Sequence, residues 1–407
     1  MAELDLKLKT LLGNHIETAL GYLGGNLSEA RKKSIEYYLG DKLGTEIDGR
    51  SQVVSTDVSD TIESILPNLL RIFTASDKVV KCEPVTAEDV PLAEQATAYL
   101  NHVFYKDNDG FQLLYNFFKD ALIEKNGFLK VYWDESETVE FETYQNLSKA
   151  DKDALNDTKD EIEIVEEEEF IDEKAKEEFN KLLEQYKEQG LEIPPANEKD
   201  FTLYNCKIKR TKKHGKIKIE SVPPEEFLID RNAKTIQEAD FVSHKVLMSR
   251  SDLIAMGYDE EEVKNFPASS DDIYNTEDMV RQRNVDEYPV DNYTQGQSTK
   301  VLIYESYVRY DQDEDGIAEL RKIVSAGDNG SIVLENMPCD NIPFVTITPI
   351  PMPHRFYGRS VSELVEDIQL MKSTVMRQLL DNMYLTNNNR VAVMDGMVNM
   401  DDLLTTR

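Results

Sequence analysis

Residues 349–394 read PIPMPHRFYGRSVSELVEDIQLMKSTVMRQLLDNMYLTNNNRVAVM, and this stretch decides the fold. A proline-rich lead, Pro349 to Pro353, runs into Phe356-Tyr357-Gly358-Arg359-Ser360. Ser360 followed by Glu363 has the spacing of a capping box, in which two side chains satisfy free amides at a helix start. Val361, Leu364, Val365, Ile368, Met371, Val375, Leu379 and Met383 then keep one apolar stripe at helical spacing to about Leu385. At about 1.5 Å per residue that helix is roughly 37 Å long, more than a globular helix needs. Its other face carries Glu366, Asp367, Lys372, Arg377, Gln378 and Asp381, Asn387-Asn388-Asn389 ends it, and Arg390 to Met394 begins a strand.

Toward the N-terminus, residues 1 to about 125 read as helical, with breaks at Gly24-Gly25, Gly40 to Gly44 and around Pro84. Val58, Ile62, Ile65, Leu66, Leu69, Leu70 and Phe73 form one buried face behind Asp57 as a cap. Further helices are expected over Ala93–Tyr105 and Gly110–Lys125. After Asn126-Gly127 the pattern becomes β-like, in Phe128 to Trp133. Residues 150–200 are strongly acidic, with Glu166 to Glu169 and a run from Ile171 to Gln189, and are expected to be an exposed helical insertion whose charges are solvated. The segment Phe201–Glu220 alternates Ile with Lys and predicts a β-hairpin turning near His214-Gly215. Its basic residues Lys207, Lys209, Arg210, Lys212, Lys213, Lys216 and Lys218 suit either one wet face of a hairpin or an anionic contact with DNA phosphate or an acidic neighbouring subunit. Ser269 to Gln297 reads as a long polar loop, and Val301 to about Ile350 as β-rich. The fold class is α+β.

The 407 residues suffice for more than one domain, and 40% hydrophobic content fills at least one substantial core. A balance of 46 basic to 78 acidic residues, net charge -32, argues against tight sequence-independent DNA binding, which neutralises phosphates with basic side chains. It suits a soluble protein, and equally a wall that encloses DNA without gripping it. Cys82, Cys206 and Cys339 show no CxxC spacing, so neither a disulfide framework nor a zinc site is indicated, and a reducing compartment fits best. The first residues lack a secretory core, and no stretch reaches the roughly 18 to 20 apolar residues of a spanning helix. An origin inside a cell, with or without export in a particle, and no membrane partner are expected.

Chemistry-bearing motifs are sparse. The five histidines are scattered, and GxSxG, Walker A and GxGxxG patterns are missing, so no enzyme is signalled. Asp311, Asp313, Asp315 and Gly316 follow the first half of an EF-hand loop, with Glu319 beyond them. Lys322 stands where the closing Glu belongs, and the flanks read as strands. A bound divalent cation and an acidic hairpin turn are both open readings, and no other cofactor is expected. A metal-dependent nucleic-acid enzyme built on these carboxylates and a non-viral acidic scaffold are the rival functions.

The lead Pro349–Pro353, Phe356 to Ser360, the long helix to Asp381-Asn382-Met383-Tyr384, and Asn389-Arg390-Val391 resemble the segment that enters the stem of large portal proteins in short-tailed phages. Asp313 to Arg321, Ser55 to Pro67 and Val222 to Asp230 are similar to the same family, so the resemblance covers about residues 28 to 395. It implies a portal fold with helical and β-rich wing, long stem helix and start of the clip. Residues 1–127 would be the helical part of the wing, 128–350 its α+β part with the insertion, 351–386 the stem helix and its lead-in, and 387–407 the start of the clip. Family members continue through a second stem helix and crown, so a partial gene product is expected. The resemblance further implies a virion component, assembled in the host cytoplasm into a ring of twelve copies at one capsid vertex. Its partners would be the terminase during packaging, then the tail adaptor, with capsid and scaffolding proteins and the duplex DNA that passes through.

Overall fold

In the computed structural model the described residues are 2–76, 78–147, 161–171, 173, 202–268, 280–281, 299–313 and 315–387. They fall into two compact units, Met1–Val131 with Ile219–Arg407, and Tyr132–Lys218. The expected strand from Arg390, most of the loop 269–297 and the helical run after Ile171, apart from Glu173, lie outside the described residues.

The first unit joins a helical part to an antiparallel sheet. Helix α1 (Ala2–Tyr22) passes through a single π-helical turn, Leu23–Leu27, where Gly25 leaves helical geometry, into α2 (Ser28–Leu39). Then come α3 (Asp57–Thr74), α4 (Val90–His102) and α5 (Gly110–Glu124). Val58, Ile62, Leu66 and Leu70 recur every four residues on α3 and bury against Leu114, Phe117, Phe118 and Leu122 of α5. The expected stripe is therefore this unit's helical core, with Phe73 at its exposed edge.

Five strands, β4 (Phe227–Ile229), β5 (Phe241–Ser249), β6 (Lys300–Tyr310), β7 (Glu319–Ala326) and β8 (Ile332–Pro338), pair in sequence order. Side chains alternate along β6: Leu302, Tyr304 and Val308 meet Leu8, Leu12 and Ile16 of α1, while Val301 and Ile303 meet Leu253, Val263 and Phe266 on the other side. The last three come from α6 (Arg250–Ala255), α7 (Glu260–Lys264) and the turn after α7. Covering both faces is why β6 reads as an apolar run and not as strict alternation.

The second unit corrects two expectations. The strand β1 (Gly127–Leu147) carries the chain in from the first unit, β3 (Thr202–Val222) carries it back, and β2 (Glu161–Ile171) pairs antiparallel with β3. The acidic run Glu166–Glu169 is thus a strand and not a helical face. Its register sets Glu163 opposite Lys209 and Glu166 opposite Lys207, with ion pairs of 3.4 and 3.7 Å. A basic neighbour with period-two alternation recruits it into the sheet. The expected hairpin is one continuous strand. The chain stays extended through Gly215, where a β-carbon would collide with the Trp133 ring.

Buried charges tie the first unit together. Arg31 is fully buried, and donates from Nε to the Glu124 carbonyl at 3.3 Å and from Nη1 to that of Pro224 at 3.0 Å. Arg281 bridges Glu124 at 2.5 Å and Glu225 at 3.0 Å. Burial raises the Glu124 carboxyl above the ordinary range, Arg281 opposes that, and the nearby Glu225 and Asp120 reinforce it. The folded state therefore keeps a proton the unfolded chain has lost. This contribution to stability is complete below the ordinary carboxylate pKa and declines as pH rises toward and beyond neutrality. Glu124→Gln should flatten that decline, by at most about 1.4 kcal/mol per pH unit, in denaturation at pH 6 and pH 8. An unchanged slope would show that Glu124 titrates normally.

Candidate functional site

The lead into the long helix is fixed before the helix starts. Ile350 and Arg359 form an isolated bridge, with the Arg359 N–H donating to the Ile350 carbonyl at 2.9 Å. Gly358 lies so close to that carbonyl that a β-carbon would sit 2.2 Å from it. Phe356 enters an aromatic cluster with Phe128, Phe227 and Phe344, in which the Phe128 and Phe227 rings stack at 4.0 Å. Ser360 is buried and its Oγ accepts the Glu363 N–H at 3.1 Å, one half of the expected capping box. The Glu363 carboxylate turns instead to Lys125 at 2.8 Å and Arg359 at 3.6 Å.

From this anchor α8 (Val361–Asn387) runs 27 residues, about 40 Å. Its buried residues are Ser362, Gln369, Ser373 and Arg377, all polar. Gln369 accepts the Val58 N–H at 2.8 Å and donates to the Tyr37 carbonyl at 3.0 Å. Ser373 Oγ accepts the Ser55 N–H at 3.0 Å, Arg377 Nε donates to the Val53 carbonyl at 2.8 Å, and Asp381 accepts the Ser51 N–H at 2.8 Å. Side chains four apart on α8, about 6 Å along its axis, thus meet backbone groups of residues 51, 53 and 55. Two residues of extended chain advance nearly the same distance, which is why the register holds over three contacts. Arg377 also reaches Thr45 at 2.9 Å and Glu46 at 2.5 Å, Lys33 pairs with Glu366 at 3.1 Å, and Lys372 pairs with Asp57 at 2.6 Å. The hydrogen bonds of Lys372 and Ser55 hold the Asp57 carboxyl below the ordinary range.

The apolar stripe lies on the opposite side. Leu364, Ile368, Met371, Val375, Leu379 and Met383 are 47, 54, 61, 62, 58 and 51% exposed, while Val361 and Val365 pack partly against the helical core. The polar face is therefore in part the docked face, through Glu366, Arg377 and Asp381, while Asp367, Lys372 and Gln378 are exposed. Helical spacing shows which residues share a face. It does not show that residues 51–58 present uncommitted backbone donors and acceptors that only polar side chains can satisfy. Ser362, Gln369 and Ser373 were missed for that reason, although a polar residue at 369, 373, 377 and 381 is itself a pattern.

Asp311, Asp313 and Asp315 converge in the β6–β7 turn, with one carboxylate oxygen of each within 4.8 Å of the others, and Glu319 lies apart in β7, paired with Arg321 at 3.5 Å. Asp311 accepts the N–H groups of Asp315 at 3.2 Å and Gly316 at 2.8 Å, and Asp315 that of Ile317 at 2.7 Å, so the carboxylates shape the turn. On β3, Lys207 and Lys209 face glutamates of β2 and Arg210 pairs with Glu142 at 3.3 Å. Lys218 lies over the Tyr132 ring, Lys216 is exposed, and the side chains of Lys212 and Lys213 are outside the described residues. No described helix is long and apolar enough to cross a membrane.

A long helix with an outward apolar stripe, entered through a fixed lead, is the element on which the resemblance rested. The family model described as phage SU10 portal protein matches residues 8–407. The chain belongs to the phage SU10 portal protein family. As a portal protein it is a structural component of a phage virion, and its α+β architecture is that of the family.

Because Glu46 is nearly enclosed with Arg377, removing one partner leaves the other desolvated without compensation. Arg377→Met should cost about 3 kcal/mol in denaturation, and the double variant with Glu46→Gln should recover about 1 kcal/mol of it. Simple additivity would contradict a coupled pair.

Proposed function

We propose that the chain assembles into a closed ring, of twelve copies as the resemblance implies, that forms a channel for duplex DNA at one capsid vertex. The carrying observation is the exposed stripe Leu364 to Met383 on a helix whose buried side chains, all polar, already face its own chain. Burying six half-exposed apolar side chains against the next copy is worth roughly 1 kcal/mol apiece before association costs. A head-to-tail contact of this kind closes into a ring when its rotation divides a full turn. The net charge of -32 supports passage without grip, because an acidic wall repels phosphates.

In this reading the genome enters and leaves through the ring, which docks the terminase during packaging and the tail adaptor afterwards, and meets capsid and scaffolding proteins during assembly in the host cytoplasm. The subunit performs no covalent chemistry and needs no cofactor. Native mass spectrometry tests it. The wild-type chain should form rings, and Ile368→Asp with Val375→Asp should give monomers with unchanged circular dichroism, since both side chains are exposed in the single chain. A doubly substituted chain that assembles as well as wild type would remove the stripe from the interface and the reading with it.

A further inference from the structure

The first unit contains a cavity of about 900 Å³ bounded by the end of α1, the β4–β5 connection and the lead into α8. Its lining carries Lys125, Arg231, His354 and Arg355 against one carboxylate, Asp230. In a chain with 78 acidic and 46 basic residues this is a local inversion of charge. Four non-glycine residues have a left-handed φ among the described residues, and two of them, Lys125 at 83° and His354 at 63°, line this cavity. Holding a side-chain-bearing residue there is strained, and such residues gather at ligand clamps.

The cations differ in commitment. Lys125 is held by Glu363 at 2.8 Å. Arg231 lies over the Tyr22 ring at 5.9 Å, and Arg355 has no side-chain hydrogen bond or ion pair among the described residues. Two guanidinium groups beside a lysine and a histidine match a multiply charged oxyanion better than a single carboxylate, because each planar fork binds two oxygens. The volume falls within the range of small-molecule sites, and Tyr22 and Tyr357 give it aromatic walls.

We propose that this cavity binds a phosphate-bearing ligand of pyrophosphate or nucleotide size, with Arg231 and Arg355 taking the phosphate oxygens. The phosphate comes either from a free ligand or from the backbone of DNA. Residues 354–358 form one wall and lead directly into α8, so occupancy stiffens the start of that helix. The site lies within one chain and does not depend on ring formation.

Isothermal titration of the 407-residue chain with pyrophosphate and with ADP tests this. Binding should weaken at least about tenfold in Arg231→Ala/Arg355→Ala and stay unchanged in the control pair Arg50→Ala/Arg71→Ala. Hydrogen exchange in the wild type, which needs no variant, should show residues 354–358 protected on adding pyrophosphate. Competition by a short duplex would assign the phosphate to DNA, and its failure to compete would assign it to a free ligand; either keeps the site. Absence of binding and protection in the wild type, or equal losses in both variant pairs, would overturn the proposal.

Discussion

The hydrogen bonds of Gln369 hold the long helix to its own chain. One amide satisfies the Val58 N–H, among the first of α3 and without an intrahelical partner, and the Tyr37 carbonyl near the end of α2. Ser373, Arg377 and Asp381 extend the same logic one turn at a time along residues 51–55. Because buried backbone groups must be paired, these contacts fix the rotation of α8 about its axis more tightly than apolar packing would. That rotation is what turns Leu364, Ile368 and Val375 outward. A helix free to roll would bury its apolar stripe on its own core.

Charge is distributed to the same end. The chain is strongly acidic, yet several of its buried charges are paired within it. Lys130 pairs with Glu305, and although burial works to raise that carboxyl, the Lys130 and Lys322 ammonium groups pull it down to about 2. The glutamates of β2 face the lysines of β3 in the second unit. The chain as a whole is net negative, and the cationic cavity beside the lead into α8 stands out against it.

Much of this was legible in the sequence. The α3 stripe, the cap at Ser360, the β-rich segment after Val301 and the long helix follow from local periodicity and capping chemistry, which act over a few residues. The strand at Glu161–Ile171 was not, because repeated glutamates read as a solvated face until the basic partner strand is placed beside them. Nor was the turn at Gly215 excluded, since only Trp133, far away in sequence, shows why a glycine without a turn is needed there. The same limit hid the inward polar face of α8. Its partners lie over 300 residues away in sequence, and no local pattern reports which side of a helix a distant segment will claim.

The assembled protein carries the most direct test of this arrangement. A cryo-electron microscopy map at side-chain resolution should show Gln369, Ser373 and Arg377 packed on residues 37–58 of the same copy, and the Leu364 to Met383 stripe buried against the adjacent copy. A map in which the polar row forms the boundary between copies, or in which the stripe folds onto its own chain, would contradict the account.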